Sequence, residues 1–142
     1  IGVLSGLVAG LVAITPAAGF VDPKGAVIIG AAAGPVCYAA SVWIKKLLGY
    51  DDSLDAFGIH GAGGLLGALL TGVFATTAIN GVSEGANVGN QALGLAFTVA
   101  WSAVATFVIL LICKFTTGLR VSEAQEEEGL DTHLHGEALE HA

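Results

Sequence analysis

The sequence predicts an all-α membrane protein with four transmembrane helices and a short acidic tail. Three observations carry that prediction. Residues 1–21, 25–44, 56–83 and 85–113 contain no Asp, Glu, Lys or Arg, and these runs are 20 to 29 residues long. A helix needs about 20 apolar residues to cross the hydrocarbon core of a bilayer. A chain of 142 residues cannot build a water-soluble core large enough to surround four such helices. Charge is also segregated: seven of the twelve acidic residues lie beyond residue 120. The formal charge of -7 therefore describes the tail, and the membrane part is nearly neutral. No basic or aromatic cluster points to nucleic acid.

The organisation follows as a transmembrane part over 1–118 and a tail over 119–142. The first helix is expected over about 2–18. It ends in a turn marked by Gly19 to Pro23. The chain opens inside this apolar run at Ile1, with no positive leader region and no cleavage site. It reads as truncated, starting within a helix. Ser5 and Thr15 are the polar residues of this helix. They either bond backbone freed near Pro16 or line a pore.

The second helix is expected over about 25–48 and the third over about 53–78, with a turn at Gly49 to Ser53. The fourth, about 88–118, follows the turn-rich stretch Asn80 to Asn90. It is long enough to tilt or to protrude into water. Pro16 and Pro35 predict bends. Glycines recur every fourth residue at Gly2, Gly6 and Gly10, at Gly30 and Gly34, and at Gly63 and Gly67. Such stripes let helix backbones approach closely in lipid. Cys37 and Cys113 sit inside apolar runs and read as small hydrophobes.

Orientation follows from the basic residues. Lys45 and Lys46 close the second helix, and Lys114 and Arg120 close the fourth; only Lys24 lies at the opposite side. The 49–53 loop and the C-terminus are therefore expected in the cytoplasm, with 19–24 and 79–90 outside. In the tail, Ser122 with Gln125 fits a capping box and Glu123 favours a helix N-terminus. A short helix over about 123–128 should stop at Gly129.

His60 is the residue with most chemical meaning. It lies in the first turns of a helix that is otherwise uncharged. Ionisable groups at membrane depth are costly and commonly face a pathway or a partner. A neutral imidazole can donate from one nitrogen and accept at the other. It either lines a path for a small polar molecule or bonds a neighbouring helix carbonyl. Asp55, five residues earlier, can cap that helix, attract cations or bond a neighbouring helix, capping being the commoner role, while Asp51 and Asp52 read as solvated loop acids. His133 and His135, with His141 nearby, do not make a metal site without further ligands. No Ser-His-Asp grouping, phosphate loop or paired-cysteine motif appears, so no enzyme and no cofactor is expected.

Three segments resemble one known family. Gly10-Leu-Val-Ala-Ile-Thr-Pro-Ala-Ala-Gly19 is similar to the eighth-helix signature of the ammonium transporters (Amt/Mep, related to Rh proteins). Asp51-Asp-Ser-Leu-Asp-Ala-Phe-Gly-Ile-His-Gly61 resembles the start of their tenth helix. The run from Gly118 to Asp131, followed by His135-Gly-Glu137, resembles their cytoplasmic tail. The resemblance covers essentially the whole chain. It implies helices 8 to 11 of an eleven-helix inverted-repeat fold that assembles as a homotrimer. His60 falls on the second histidine of the family's twin-histidine pore, through which ammonia passes after ammonium gives up a proton.

By the same matching, Ser5 and Asp55 lie near the cytoplasmic pore mouth, with Ala56 as a small apolar pore-lining residue beside them. The tail positions Gly118, Arg120, Gly129, Asp131, His135 and Gly136 form the regulatory segment. It would receive a PII-type signalling trimer, with the acids Glu123 to Glu128 contributing to docking. The expected location is the inner or plasma membrane, with a cytoplasmic C-terminus. The first pore histidine, the outer recruitment site and the gating phenylalanines belong to earlier helices and are absent from this sequence. The chain alone is therefore expected not to transport. The alternatives are an ammonium sensor or PII-binding scaffold on the same fold, and an unrelated channel or membrane enzyme.

Overall fold

A computed structural model describes residues 2–137. The residues beyond them, including His141, lie outside the description. Among the described residues the chain is helical, and its only β pairing is an isolated bridge between Val21 and Ala75. It divides into two compact units after Thr98.

In the first unit, α1 covers Gly2–Ile14 and continues as a tight 3-10 turn over Thr15–Ala17. Pro16 ends this helix rather than bending it, because it has no N–H to offer the turn before it. Thr15 Oγ1 donates to Leu11 O at 2.8 Å, the backbone-bonding option of the two expected for it. The apolar helix Gly2–Ala17 is shorter than the other three candidate spans.

Helix α2 runs over Pro23–Leu48. Asp22 caps it, with Oδ1 accepting from Gly25 N at 2.7 Å, and Pro23 fits the first turn, where no intrahelical donor is needed. The helix is α-helical to Tyr38, wide-turned over Ala39–Ile44, and α-helical again over Lys45–Leu48. Pro35 thus sits inside a continuous helix, one turn before the winding changes. Gly49 closes it at φ 65°, a left-handed geometry that glycine adopts without a Cβ penalty.

Helix α3 runs over Phe57–Phe74, beginning with a wide turn over Phe57–Gly61. It is shorter than the expected 53–78 because residues 53–55 form the turn that leads into it. At its far end Ala75 pairs with Val21, and Thr76 N donates to Phe20 O at 2.9 Å. The 19–22 loop and the end of α3 therefore share one end of the bundle. Asp52 to Asp55 and the end of α2 share the other.

The core of this unit is made of small residues. Ala9, Ala13, Ala17, Ile29, Ala33 and Cys37 are buried, flanked by Ile14, Val21, Ile59, Leu66, Leu70 and Phe74. The three glycine stripes behave differently. A Cβ on Gly67 would collide with the Ala13 carbonyl oxygen, and one on Gly63 would lie 3.2 Å from both Val12 Cγ1 and Cys37 Sγ. This stripe makes the close approach of α3 to α1 and α2 that was expected of all three. Gly2, Gly6, Gly10, Gly30 and Gly34 have nothing within 4 Å of where a Cβ would stand. Their missing side chains leave space instead of contact.

Helix α4, Val88–Thr116, is the most hydropathic span and has no buried residue. At about 1.5 Å per residue it exceeds the roughly 30 Å hydrocarbon core. Leu93, Phe97, Trp101, Phe107 and Phe115 are all exposed. A helix without a polar face suits lipid, not water.

In the second unit, α4 ends where Thr117 N and Gly118 N both donate to Cys113 O, with Gly118 at φ 82°. Helix α5, Glu123–Glu128, stops at Gly129 (φ 101°), where the sequence placed its end. Gln125 Oε1 accepts from Ser122 N and from Ser122 Oγ, both at 3.0 Å. A final wide turn spans Asp131–His135 and is closed by Gly136 at φ 65°.

Candidate functional site

The start of α3 is built by an unusual turn. Asp55 has φ 54°, the only left-handed non-glycine residue described. That conformation costs about 1–2 kcal/mol and is tolerated best by Asn and Asp. It turns the Asp55 carboxylate away from its own helix and toward α2, where Oδ1 accepts from Lys45 Nζ at 2.5 Å. The same ammonium donates to the Asp52 main-chain oxygen at 3.0 Å.

Of the roles open to it, Asp55 therefore takes the bond to a neighbouring helix and not the commoner cap; the side chain of Asp52 caps α3 instead. Asp52 Oδ2 accepts from Phe57 N and Gly58 N, each at 3.1 Å. Asp52 is half-buried and engaged, not a solvated loop acid. Partial burial pushes its carboxyl up. The N–H groups of Gly58, Phe57 and Ala56, with the Lys45 charge, outweigh this and hold it below the usual carboxylate range.

A cavity of about 410 Å³ opens between α1, α2 and the start of α3. Its wall includes Ser5, Tyr38, Ser41, Val42, Asp55 and Ile59, with Gly2, Gly6 and Gly34 giving it room. Two of the four residues expected along a substrate path, Ser5 and Asp55, thus lie on one wall. The other two do not: Ala56 and His60 are exposed, off the cavity. No hydrogen bond to the His60 ring is formed by the described residues, so its bonding to a helix carbonyl within them is not seen.

His60 stands in the wide turn Phe57–Gly61. Such single-turn widenings are frequent at functional sites. Gly58 is pressed against Ser41, with only 2.9 Å between its Cβ position and Ser41 Cα. Cys37 Sγ reaches Ile59 O at 3.6 Å. Tyr50 and Phe57 meet edge to face at 5.7 Å. These contacts fix the turn that carries His60. Cys37 is buried and Cys113 partly buried, and both are free thiols.

In the tail, Arg120 grips Glu126 with two bonds, Nε to Oε1 at 2.5 Å and Nη2 to Oε2 at 2.7 Å. That guanidinium holds the Glu126 carboxyl below its usual range, against a smaller opposing effect of burial. His133 touches Glu128 at 3.2 Å and also meets Gln125. Asp131 and Gly136 serve the final turn through their backbone, Asp131 O accepting from Glu137 N at 3.1 Å. His135 is exposed. Among the described residues no three His, Cys, Asp or Glu side chains converge as metal ligands.

Sequence reasoning missed Lys45 and Asp52. Lys45 read only as an orientation marker, and its distance from Asp55 along the chain hid the pairing. A Lys on the last turn of one helix, followed by a short acidic loop into the next, was the available signal.

The profile described as the Ammonium Transporter Family matches residues 1–139. The ammonium transporter of Aquifex aeolicus is 51% identical over 143 residues, covering 96% of this chain and 33% of that protein. That of Bacillus subtilis is 46% identical, covering 96% and 36%. The crystal structure of Saccharomyces cerevisiae Mep2 superposes with a TM-score of 0.73 at 39% identity, covering 84% of this chain and 30% of Mep2. Candida albicans Mep2 gives 0.74 at 34% identity, covering 85% and 29%. The chain spans about a third of the length of the relatives it matches.

Proposed function

The chain belongs to the ammonium transporter family, and from that premise we propose that it forms part of a pore that carries ammonium nitrogen across a membrane. It would supply helices 8 to 11 of a homotrimeric, eleven-helix protein in the inner or plasma membrane. The observation that supports this reading best is His60: an exposed imidazole on an apolar span, in a wide turn that also gives Ile59 to the cavity wall. An imidazole without a hydrogen-bond partner among the described residues is free to face a second pore-lining group contributed by other helices.

Passage is of neutral ammonia. An ammonium ion gives up a proton to water at the outer side, and ammonia moves along the imidazole, which accepts and donates hydrogen bonds without holding charge. Potassium cannot shed its charge, so it meets the full cost of desolvation. Ala56 keeps the path narrow and apolar beside His60. Ser5 and Asp55 receive the solute on the cytoplasmic side, the side that Lys45 and Lys46 at the end of α2 favour for the 49–53 loop. The described part of the tail, with Gly118, Arg120, Gly129, Asp131, His135 and Gly136, offers a docking surface for a PII-type partner. With no chemistry on substrate bonds to perform, the protein is not an enzyme.

The test is uptake by the full-length protein carrying this chain. Reconstituted in liposomes, it should accumulate radiolabelled methylammonium above empty vesicles. Uptake equal to empty vesicles would overturn the reading.

A further inference from the structure

Among the described residues, Asp55 is the one charged residue on the wall of the 410 Å³ cavity. Its carboxylate is already occupied. Lys45, on the last turn of α2, places Nζ 2.5 Å from Asp55 Oδ1 and 3.0 Å from Asp52 O. The Lys45 side chain is 30% exposed and that of Asp55 38%. Lys45 itself does not line the cavity. A primary ammonium is chemically close to a free ammonium ion: one positive charge, carried on N–H donors. The wall thus holds a tethered copy of the cation that an unpaired carboxylate would attract.

The tether also has a conformational role. Asp55 sits at φ 54°, and Lys45 grips both ends of the turn Asp52–Asp55 through one nitrogen. The remaining polar groups on the wall, Ser5, Ser41 and Tyr38, are neutral. With Lys45 in place, the wall carries no net charge.

We propose that Lys45 is a positioning residue that holds Asp55 on the cavity wall and, by occupying its carboxylate, keeps the cavity from retaining free monovalent cations. This rests on the transport reading above. A neutral solute passes the paired wall unhindered, whereas a cation has to displace Lys45 to bind Asp55. Loss of the Lys45 charge leaves a half-exposed carboxylate that holds ammonium about two- to five-fold more tightly, the range that partly exposed ion pairs support.

The test uses the full-length transporter in sidedness-controlled liposomes, with inhibition of methylammonium uptake by ammonium added on the Lys45 side. Lys45→Met should lower the inhibitory ammonium concentration about two- to five-fold. The KM for methylammonium from the opposite side should change by less than about two-fold, and Lys45→Arg, which keeps the charge, should behave as wild type. If Lys45→Met does not reach the membrane, Lys45→Gln must show the same shift, because it keeps hydrogen-bonding capacity without charge. An unshifted inhibition constant in the neutral variants, or an equal shift in Lys45→Arg, overturns the proposal. Wild-type protein that moves no methylammonium refutes the transport reading instead, so the two failures are distinct.

Discussion

Asp52 and Asp55 lie three residues apart and do different work. Asp52 accepts from two N–H groups at the start of α3, while Asp55 reaches another helix. The sequence favoured Asp55 for the cap, with a bond to a neighbouring helix as an alternative, and it is the alternative that forms. Local capping patterns cannot reveal a left-handed Asp55, nor a lysine partner ten residues earlier. The depressed Asp52 carboxyl has a pH consequence. Its folded pKa lies below its unfolded value of about 3.9. The stability from its ionised form is therefore complete above the unfolded value and is lost as pH falls through the folded one. In detergent, Asp52→Asn should melt below wild type at pH 7, and the difference should shrink as pH falls below about 4. A difference that stays constant across that range would assign the cap to hydrogen-bond geometry alone. His60 was legible as the ionisable residue of an apolar span, but its exposure could not be read from its neighbours in the chain.

At the scale of elements, the apolar runs marked α2, α3 and α4 because a charge-free stretch of about 20 residues has few other uses. The ends were less legible. Pro16 stops α1 through a missing donor, and the turn before Phe57 shortens α3. The widened winding of Ala39–Ile44 and Phe57–Gly61 leaves no pattern in composition. Glycine periodicity marked three stripes alike, yet contact depends on what faces each stripe, which periodicity does not encode. Gly63 and Gly67 meet α1 and α2, whereas Gly2, Gly6 and Gly34 open the cavity. Gly67→Ala drives a methyl into the Ala13 carbonyl and should destabilise the helix contact by about 1–3 kcal/mol. The readout is a lowered melting temperature in detergent. An unchanged value would mean that α1 and α3 do not touch there.

For the whole molecule, charge placement carried the membrane reading and motif order carried the family. Both depend on sequence position alone, so both were visible early. The Ser5–Asp55 cavity was only partly visible, since the resemblance named those residues but not the lysine beside them. Exposed apolar faces run along all four long helices, with Leu4, Val27, Val73 and Trp101 among them. These faces suit lipid or the remaining helices of a larger pore. His60 is the residue on which the proposed pore depends most. The most direct measurement compares wild type and His60→Ala, in the full-length protein at equal trimer content, for methylammonium uptake and potassium exclusion. A changed methylammonium flux or a loss of potassium exclusion is predicted. Unchanged flux with unchanged selectivity would contradict the account.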